Sequence, residues 1–232
     1  MKKNKKMKWI GLAACVMSGL LAVSCNKEKV SIIILSEDDW VDLGLPSGLL
    51  WATRNVGATS PEDYGDFFAW GETTPKSVYN WSTYIYCKRD EEQLTKYCSL
   101  PIYGYNGFTD NLTTLQRVDD AATAHYGGRT PTIEEWHELL DNTIDSWTTQ
   151  NGVTGRLFTG ANGNSLFLPA AGNRRDYSHD FYGSRGHYWS SSLNTSYPYL
   201  AVCYNFQLDP RYNEVFGMYR SGGLPVRAVL QK

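Results

Sequence analysis

The sequence predicts an α+β domain that combines short strands with two helices. Three observations carry this reading. Residues 200–209 alternate, with Leu200, Val202, Tyr204, Phe206 and Leu208 on one set of positions and Ala201, Cys203, Asn205, Gln207 and Asp209 on the other. Successive side chains of a strand point to opposite faces, so this run reads as a half-buried strand whose second set faces outward. Thr132, followed three residues later by Glu135, forms a capping box ahead of an apolar face made by Ile133, Trp136, Leu139 and Leu140. Finally, 14% aromatic residues and 21 glycines in 232 residues describe an ordered, turn-rich chain, long enough for one good core or two small ones.

The chain opens with a lysine-rich segment, residues 1–8, and an apolar run, residues 9–23. This is the pattern of a signal peptide over residues 1–24, and the run is shorter than the ~20 residues that a membrane span wants. Residues 21–25, Leu-Ala-Val-Ser-Cys, resemble a bacterial lipobox, in which small residues precede the cysteine that takes a lipid. The preferred leucine stands one place early. Residues 12–15 match the consensus letter for letter but leave an apolar run of only six residues, so Cys25 is the expected lipidation site. A lipid there would anchor the chain to a membrane without spanning it. Residues 25–39 read as a lipidated tether, and residues 40–232 as the folded domain.

Formal charge is −2, and without the five lysines among the first 24 residues it is 17 basic against 24 acidic side chains, or −7. Nucleic acid binding needs a basic face, and none is present.

From Trp40 the elements follow in order. Residues 40–52 read as strand, Pro46-Ser47-Gly48 turn and strand, and residues 67–72 as a further short buried strand. Residues 73–111 are an irregular, tyrosine-rich excursion. Cys87 and Cys98 within it, separated by ten residues, are open to two readings: a disulfide loop contributing about 3 kcal/mol, or two separate thiols. Residues 115–125 carry Leu115, Val118, Ala121 and Ala122 at helical spacing, ahead of Gly127-Gly128. The capped helix at Thr132 comes next. Asn162-Gly163 between residues 155–159 and 165–169 signals a hairpin. After the strand at 200–209, a stretch rich in Tyr, Asn, Arg and Gly (residues 211–223) has the chemistry of a displayed binding surface. Leu224, Val226, Ala228 and Leu230 then alternate again.

Several of these pieces occur together in one family. They are residues 42–52, residues 119–122 continuing through Arg129-Thr130-Pro131-Thr132 to Glu138-Leu139, residues 167–172, residues 188–192, and Val226-Arg227. Together they resemble the Fibrobacter succinogenes major paralogous domain, common in lipoproteins of Bacteroidetes. The resemblance covers residues 40–230 and implies a C-type-lectin-like fold, two helices packed on short twisted antiparallel sheets. It also implies that the ligand is met by the C-terminal strands and loops. The Glu-Pro-Asn and Trp-Asn-Asp triplets of calcium-dependent lectins do not occur here, nor do the paired cysteines of formylglycine-generating enzymes. No metal and no cofactor are expected.

The variable proteins of diversity-generating retroelements share that fold and vary a C-terminal segment. Tyr197, Tyr199, Cys203, Asn205, Tyr212, Asn213, Phe216 and Gly217 can all arise from an Asn codon by changing adenines, whereas Gln207, Glu214 and Met218 cannot. The expected ligand-binding residues are Asn194, Tyr197, Tyr199, Cys203, Asn205, Gln207, Arg211, Tyr212, Asn213, Phe216, Met218, Tyr219 and Arg220. Trp51, Trp70, Trp136 and Trp189 are expected in the core. No nucleophile elbow, phosphate loop or zinc spacing occurs, so the expectation is a binding protein and not an enzyme. Two functions follow. One is an outer-membrane, lipid-anchored recognition domain for a protein or glycan ligand. The other is an envelope assembly component whose tyrosine-rich face packs against a partner.

Overall fold

The computed structural model describes residues 35–232, so Cys25, the signal peptide and most of the tether lie outside the described residues. Strands β1 (Trp40–Asp42) and β2 (Leu50–Ala52) pair antiparallel around the Pro-Ser-Gly turn, where Gly48 takes φ 70° and its N–H closes onto Leu45 O at 2.9 Å. A left-handed turn position is where glycine is at no steric disadvantage. The expected strand at residues 67–72 is reduced to a single bridge, Phe68 to Leu224.

The first expected helix is shorter than its periodicity suggests. Helix α1 spans Ala121–Tyr126, and a 3-10 turn, Arg117–Asp119, occupies the place of its first turns. Asp120 decides the start. Its carboxylate accepts the Ala122 N–H at 2.9 Å and also the Thr130 N–H and hydroxyl at 2.8 and 2.7 Å, while Val118 is left exposed. A strong N-cap outweighs apolar spacing here. Helix α2 (Ile133–Asp141) is capped at Thr132 with the reciprocal Glu135 bond, as its sequence predicts, and buries Trp136 and Leu139.

The remaining strands are β3 (Thr143–Gln150), β4 (Val153–Gly160), β5 (Ser165–Pro169), β6 (Asn173–Arg175), β7 (Ser178–Asp180), β8 (Arg185–Leu193), β9 (Leu200–Gln207), β10 (Glu214–Tyr219) and β11 (Val229–Leu230). With β1 and β2 they form, among the described residues, four small antiparallel sheets, ordered β1-β2-β11, β10-β9-β8, β3-β4-β5 and β6-β7. Two helices with these sheets make the architecture α+β. Among the described residues no helix is long and apolar enough to cross a membrane.

The β10-β9-β8 sheet lies between two apolar clusters. Tyr188, Tyr204 and Phe206 pack with Trp51, Trp136, Leu139 and Phe158. On the opposite face Trp189, Ala201 and Cys203 pack with Phe68, Trp70, Ala121 and Ala122. Each large apolar side chain buried in this way contributes about 1.5–3 kcal/mol. The four tryptophans expected in the core are all buried, and three of their indole N–H groups reach backbone carbonyls: Trp70 to Ser190, Trp189 to Phe68 and Trp136 to Trp189.

The excursion, residues 73–111, holds a third cluster with Tyr79, Tyr84, Leu94 and both cysteines. Cys87 and Cys98 are free, buried thiols. Their sulfurs bond different carbonyls, Trp81 O and Leu100 O, and burial pushes both thiols up. Of the two readings left open for them, the structure has the separate thiols.

Candidate ligand-binding cleft

Two reciprocal backbone bridges build the site. The Tyr79 N–H donates to Asp176 O at 3.0 Å and the Asp176 N–H returns to Tyr79 O at 2.8 Å. One step along, the Arg174 N–H donates to Gly223 O at 2.7 Å and the Gly223 N–H returns to Arg174 O at 2.9 Å. The β6-β7 ribbon is thereby stitched to the excursion on one side and to the segment after β10 on the other. Gly223 is required for this approach, since a Cβ there would lie 2.6 Å from the Tyr79 ring.

Between these elements opens a cleft of about 290 Å³. Its inner surface is mostly apolar, with Tyr79, Leu224 and Met218 beside the rings of Trp81 and Tyr219. Those last two rings stand edge to face, 6.1 Å between centroids. Tyr219 continues into an aromatic row, 6.0 Å to Tyr199, which in turn meets Tyr103 at 5.0 Å and Tyr197 at 5.9 Å. Exposed aromatic groups clustered like this mark interaction sites more often than bare surface.

Polar groups sit around the apolar interior. The Asn80 amide donates to the Asp176 carboxylate at 2.9 Å, and Asp176 adopts φ 50° at the tip of the ribbon. The Arg174 guanidinium lies 5.2 Å over the Phe67 ring and forms no ion pair among the described residues. Arg175 is mostly solvated and 3.7 Å from Asp180. Glu91 also lines the cleft, without a hydrogen bond or ion pair to a described residue. Asn173 is 94% buried and its amide oxygen has no partner among the described residues. A buried amide oxygen without a partner is costly and unusual in a protein interior.

The expected binding residues divide into three groups. Tyr197, Arg211, Tyr212 and Tyr219 are exposed. Asn194, Tyr199, Gln207, Asn213, Phe216 and Met218 are half-buried, and the last two pack against the core cluster around Trp70 and Trp189. Cys203, Asn205 and Arg220 are buried, which corrects the expectation that they face a ligand. Cys203 lies on the face of β9 that packs against Tyr97, Ala121 and Ala122, so a thiol expected outside is fully enclosed and burial pushes it up. The Asn205 amide donates to Tyr212 O at 2.9 Å and holds the turn before β10.

Arg220 points inward. It donates to the Tyr84 hydroxyl and to the carbonyls of Tyr97, Pro198 and Lys96 at 2.8–3.0 Å, and its guanidinium lies over the Trp70, Tyr84 and Tyr97 rings. It fixes the excursion against the end of β10.

Of the expected residues only Met218 and Tyr219 line the cleft. Tyr79, Trp81, Glu91, Asn173, Arg174, Arg175 and Asp176 line it without having been among the expected binding residues. Composition was the one available signal, a tyrosine-rich stretch at 73–111 and an Arg-Arg-Asp run at 174–176. Among the described residues no group of three His, Cys, Asp or Glu side chains is placed to hold a metal ion. His125 and His179 are tied to the carbonyls of Thr73 and Ala171.

Comparison with protein-family models, with curated proteins and with solved structures found no match for this chain.

Proposed function

We propose that the chain is a ligand-recognition domain of a cell-envelope lipoprotein, C-type-lectin-like in fold and not catalytic, with its ligand seated in the cleft beside β10. The observation that carries this is the cleft itself, an apolar interior flanked by Trp81 and Tyr219 and rimmed by polar groups left without partners. A few polar groups converging on an apolar concavity are the usual make-up of a small binding site. The scaffold reading is supported by the buried sheet that β10 edges and by Arg220, which holds the excursion against the end of that strand. Anchorage at the outer membrane rests on the sequence around Cys25. Variation by a retroelement, as part of this proposal, would fall on the solvent-accessible Tyr197, Tyr199, Tyr212 and Asn213 and not on Cys203 or Asn205.

The test is binding of the full chain to immobilised glycans and to envelope protein fractions, repeated with Trp81→Ala and Tyr219→Ala. Loss of the wild-type interaction in both, with unchanged melting, is the expected result. Binding that survives both changes would place recognition elsewhere. A near-copy of the segment coding residues 188–227, differing only at adenines, is the expected genomic sign of diversification; its absence would leave a fixed specificity. Fatty-acid labelling lost in Cys25→Ser tests the anchor.

A further inference from the structure

We infer that the cleft seats a cation, the guanidinium of an arginine side chain on its apolar stem. This rests on the reading of the cleft as a recognition site and names what enters it. The pleat of β6 sorts the charges. Successive side chains of a strand point to opposite faces, so Asn173 and Arg175 stand on the cleft side and Arg174 on the other. The Arg174 guanidinium accordingly lies over Phe67, in a neighbouring depression with Asp66 and Lys76. What Arg174 gives the cleft wall is its backbone, paired with Gly223. The side chains that remain at the cleft are mainly acceptors. Glu91 is half-buried and Asp176 exposed, and neither carboxylate has an ion-pair partner among the described residues. The Asn80 amide donates to Asp176 at 2.9 Å. Asn173, more than nine-tenths buried, adds an amide oxygen with no partner among the described residues.

Arg175 is the cation on this side. Its side chain is 73% exposed and 3.7 Å from Asp180, which stands across the ribbon from Asn173. Set against Asp180, Arg175 leaves the Glu91 and Asp176 carboxylates uncompensated, so an entering anion is repelled and a cation is matched. The rings favour the same sign. Trp81 and Tyr219 meet edge to face at 6.1 Å with Tyr79 beside them, and an aromatic face attracts a cation within about 6 Å of its centre. The chain uses this chemistry elsewhere, with Arg220 at 5.1 Å from the Trp70 ring and Arg185 at 4.4 Å from Phe181. A guanidinium suits the cleft better than an ammonium. Its flat, weakly hydrated fork lies along a ring and carries five N–H donors, and the acceptors here come from two separate elements, the excursion and the β6-β7 ribbon. The volume, about 290 Å³, lies at the bottom of the roughly 300–1,000 Å³ that small-molecule sites span, room for one side chain.

The experiment is a ¹H–¹⁵N NMR titration of the intact chain, following the Trp81 indole and the Gly222 amide. The probes are N-acetyl-L-arginine methylamide, its citrulline and lysine counterparts, and methylguanidinium. The capped arginine should shift both signals. The citrulline probe keeps the shape and loses the charge, and should bind about tenfold more weakly, because charge-assisted hydrogen bonds are roughly twice as strong as neutral ones. The lysine probe should fall between them. Glu91→Gln and Asp176→Asn should each weaken the capped arginine about fivefold without altering the melting temperature, since asparagine tolerates the φ of 50° at residue 176. Arg175→Gln removes the cation on the cleft side and should tighten binding. Equal binding of the arginine and citrulline probes would overturn the inference, as would weaker binding in Arg175→Gln; either would leave the recognition site in place. Methylguanidinium binding as tightly as the capped arginine would overturn the side chain as occupant in favour of a free small guanidinium. Silence with every probe would overturn the inference, and the recognition reading would then be decided by the Trp81 and Tyr219 variants.

Discussion

The β10-β9-β8 sheet and the excursion at residues 73–111 each contribute side chains to a buried apolar cluster, yet they are held by different physics. The sheet is a ladder of backbone hydrogen bonds with aromatic side chains on both faces. The excursion has two 3-10 turns and hardly any ladder, and its order comes from side chains reaching backbone. The Tyr84 hydroxyl donates to Trp70 O, and the Asp110 carboxylate accepts the Tyr97 and Cys98 N–H groups. Burial alone would raise the Asp119 carboxyl, but Lys96, Tyr86 and Tyr97 hydrogen-bond it and hold it below the usual carboxylate range. Irregular backbone can be fixed as firmly as a sheet when its polar groups find side-chain partners. The cleft opens where the two regimes meet.

The sharpest way to break this comparison is Arg220→Ala. It removes a buried cation and leaves three carbonyls and a tyrosine hydroxyl short of a donor, so a loss of about 3–5 kcal/mol is expected in urea unfolding. A loss below 1 kcal/mol would show that the excursion does not depend on its tie to the sheet. Arg220→Lys should recover only part of the loss, because one ammonium cannot span four acceptors.

A second effect belongs to the sheet. His187 on β8 is 97% buried and lies beside Phe216 and Phe181. Burial, and then the charge of Arg185, pull its imidazole down from 6.5 to about 4. The unfolded chain therefore takes the proton first. The contribution of His187 is complete above pH 6.5 and is lost as pH falls toward 4, by about 3 kcal/mol in all. Unfolding free energies measured between pH 7 and 4 should show this slope, and His187→Gln should flatten it. An unchanged slope would mean that the imidazole is solvated.

Smaller effects sharpen the contrast. Thr132→Ala should cost about 1 kcal/mol, since it removes the cap of α2 and leaves the sheet untouched. Tyr212→Ala, at an exposed ring with the Arg211 guanidinium 6.0 Å from its centroid, should stay within about 0.5 kcal/mol in thermal melts. A larger loss would identify that turn as part of the scaffold.

These differences also explain what the sequence revealed. Helix α2 was legible because its cap and apolar face are local, all within residues 132–140. The alternation of β9 was legible as a strand, but alternation says nothing of whether a second layer covers the smaller residues. Here it does, and Cys203 and Asn205 are inside. Strand β10 has Val215, Phe216 and Met218 half-buried on both faces, so no period of two emerged and the stretch read only as a displayed surface. Strand β3 was hidden for the opposite reason, its Ile144 being exposed and its Trp147 half-buried. The cleft was the least legible. Tyr79 meets Asp176, and Arg174 meets Gly223, across separations that no local pattern encodes.

The sheet at the two ends of the domain has a mechanical consequence. β1 and β11 flank β2 from opposite sides, and β1 is held by three residue pairs, with Arg54 to Asp39 beside them. Tension entering from the N-terminal side would load β1 first and peel it away from β2, while β11 still clamps β2 on its other edge. The strand would act as a fuse. In single-molecule pulling from residue 35, a small early rupture should precede the main unfolding event, and ligand held in the cleft should remain bound through it.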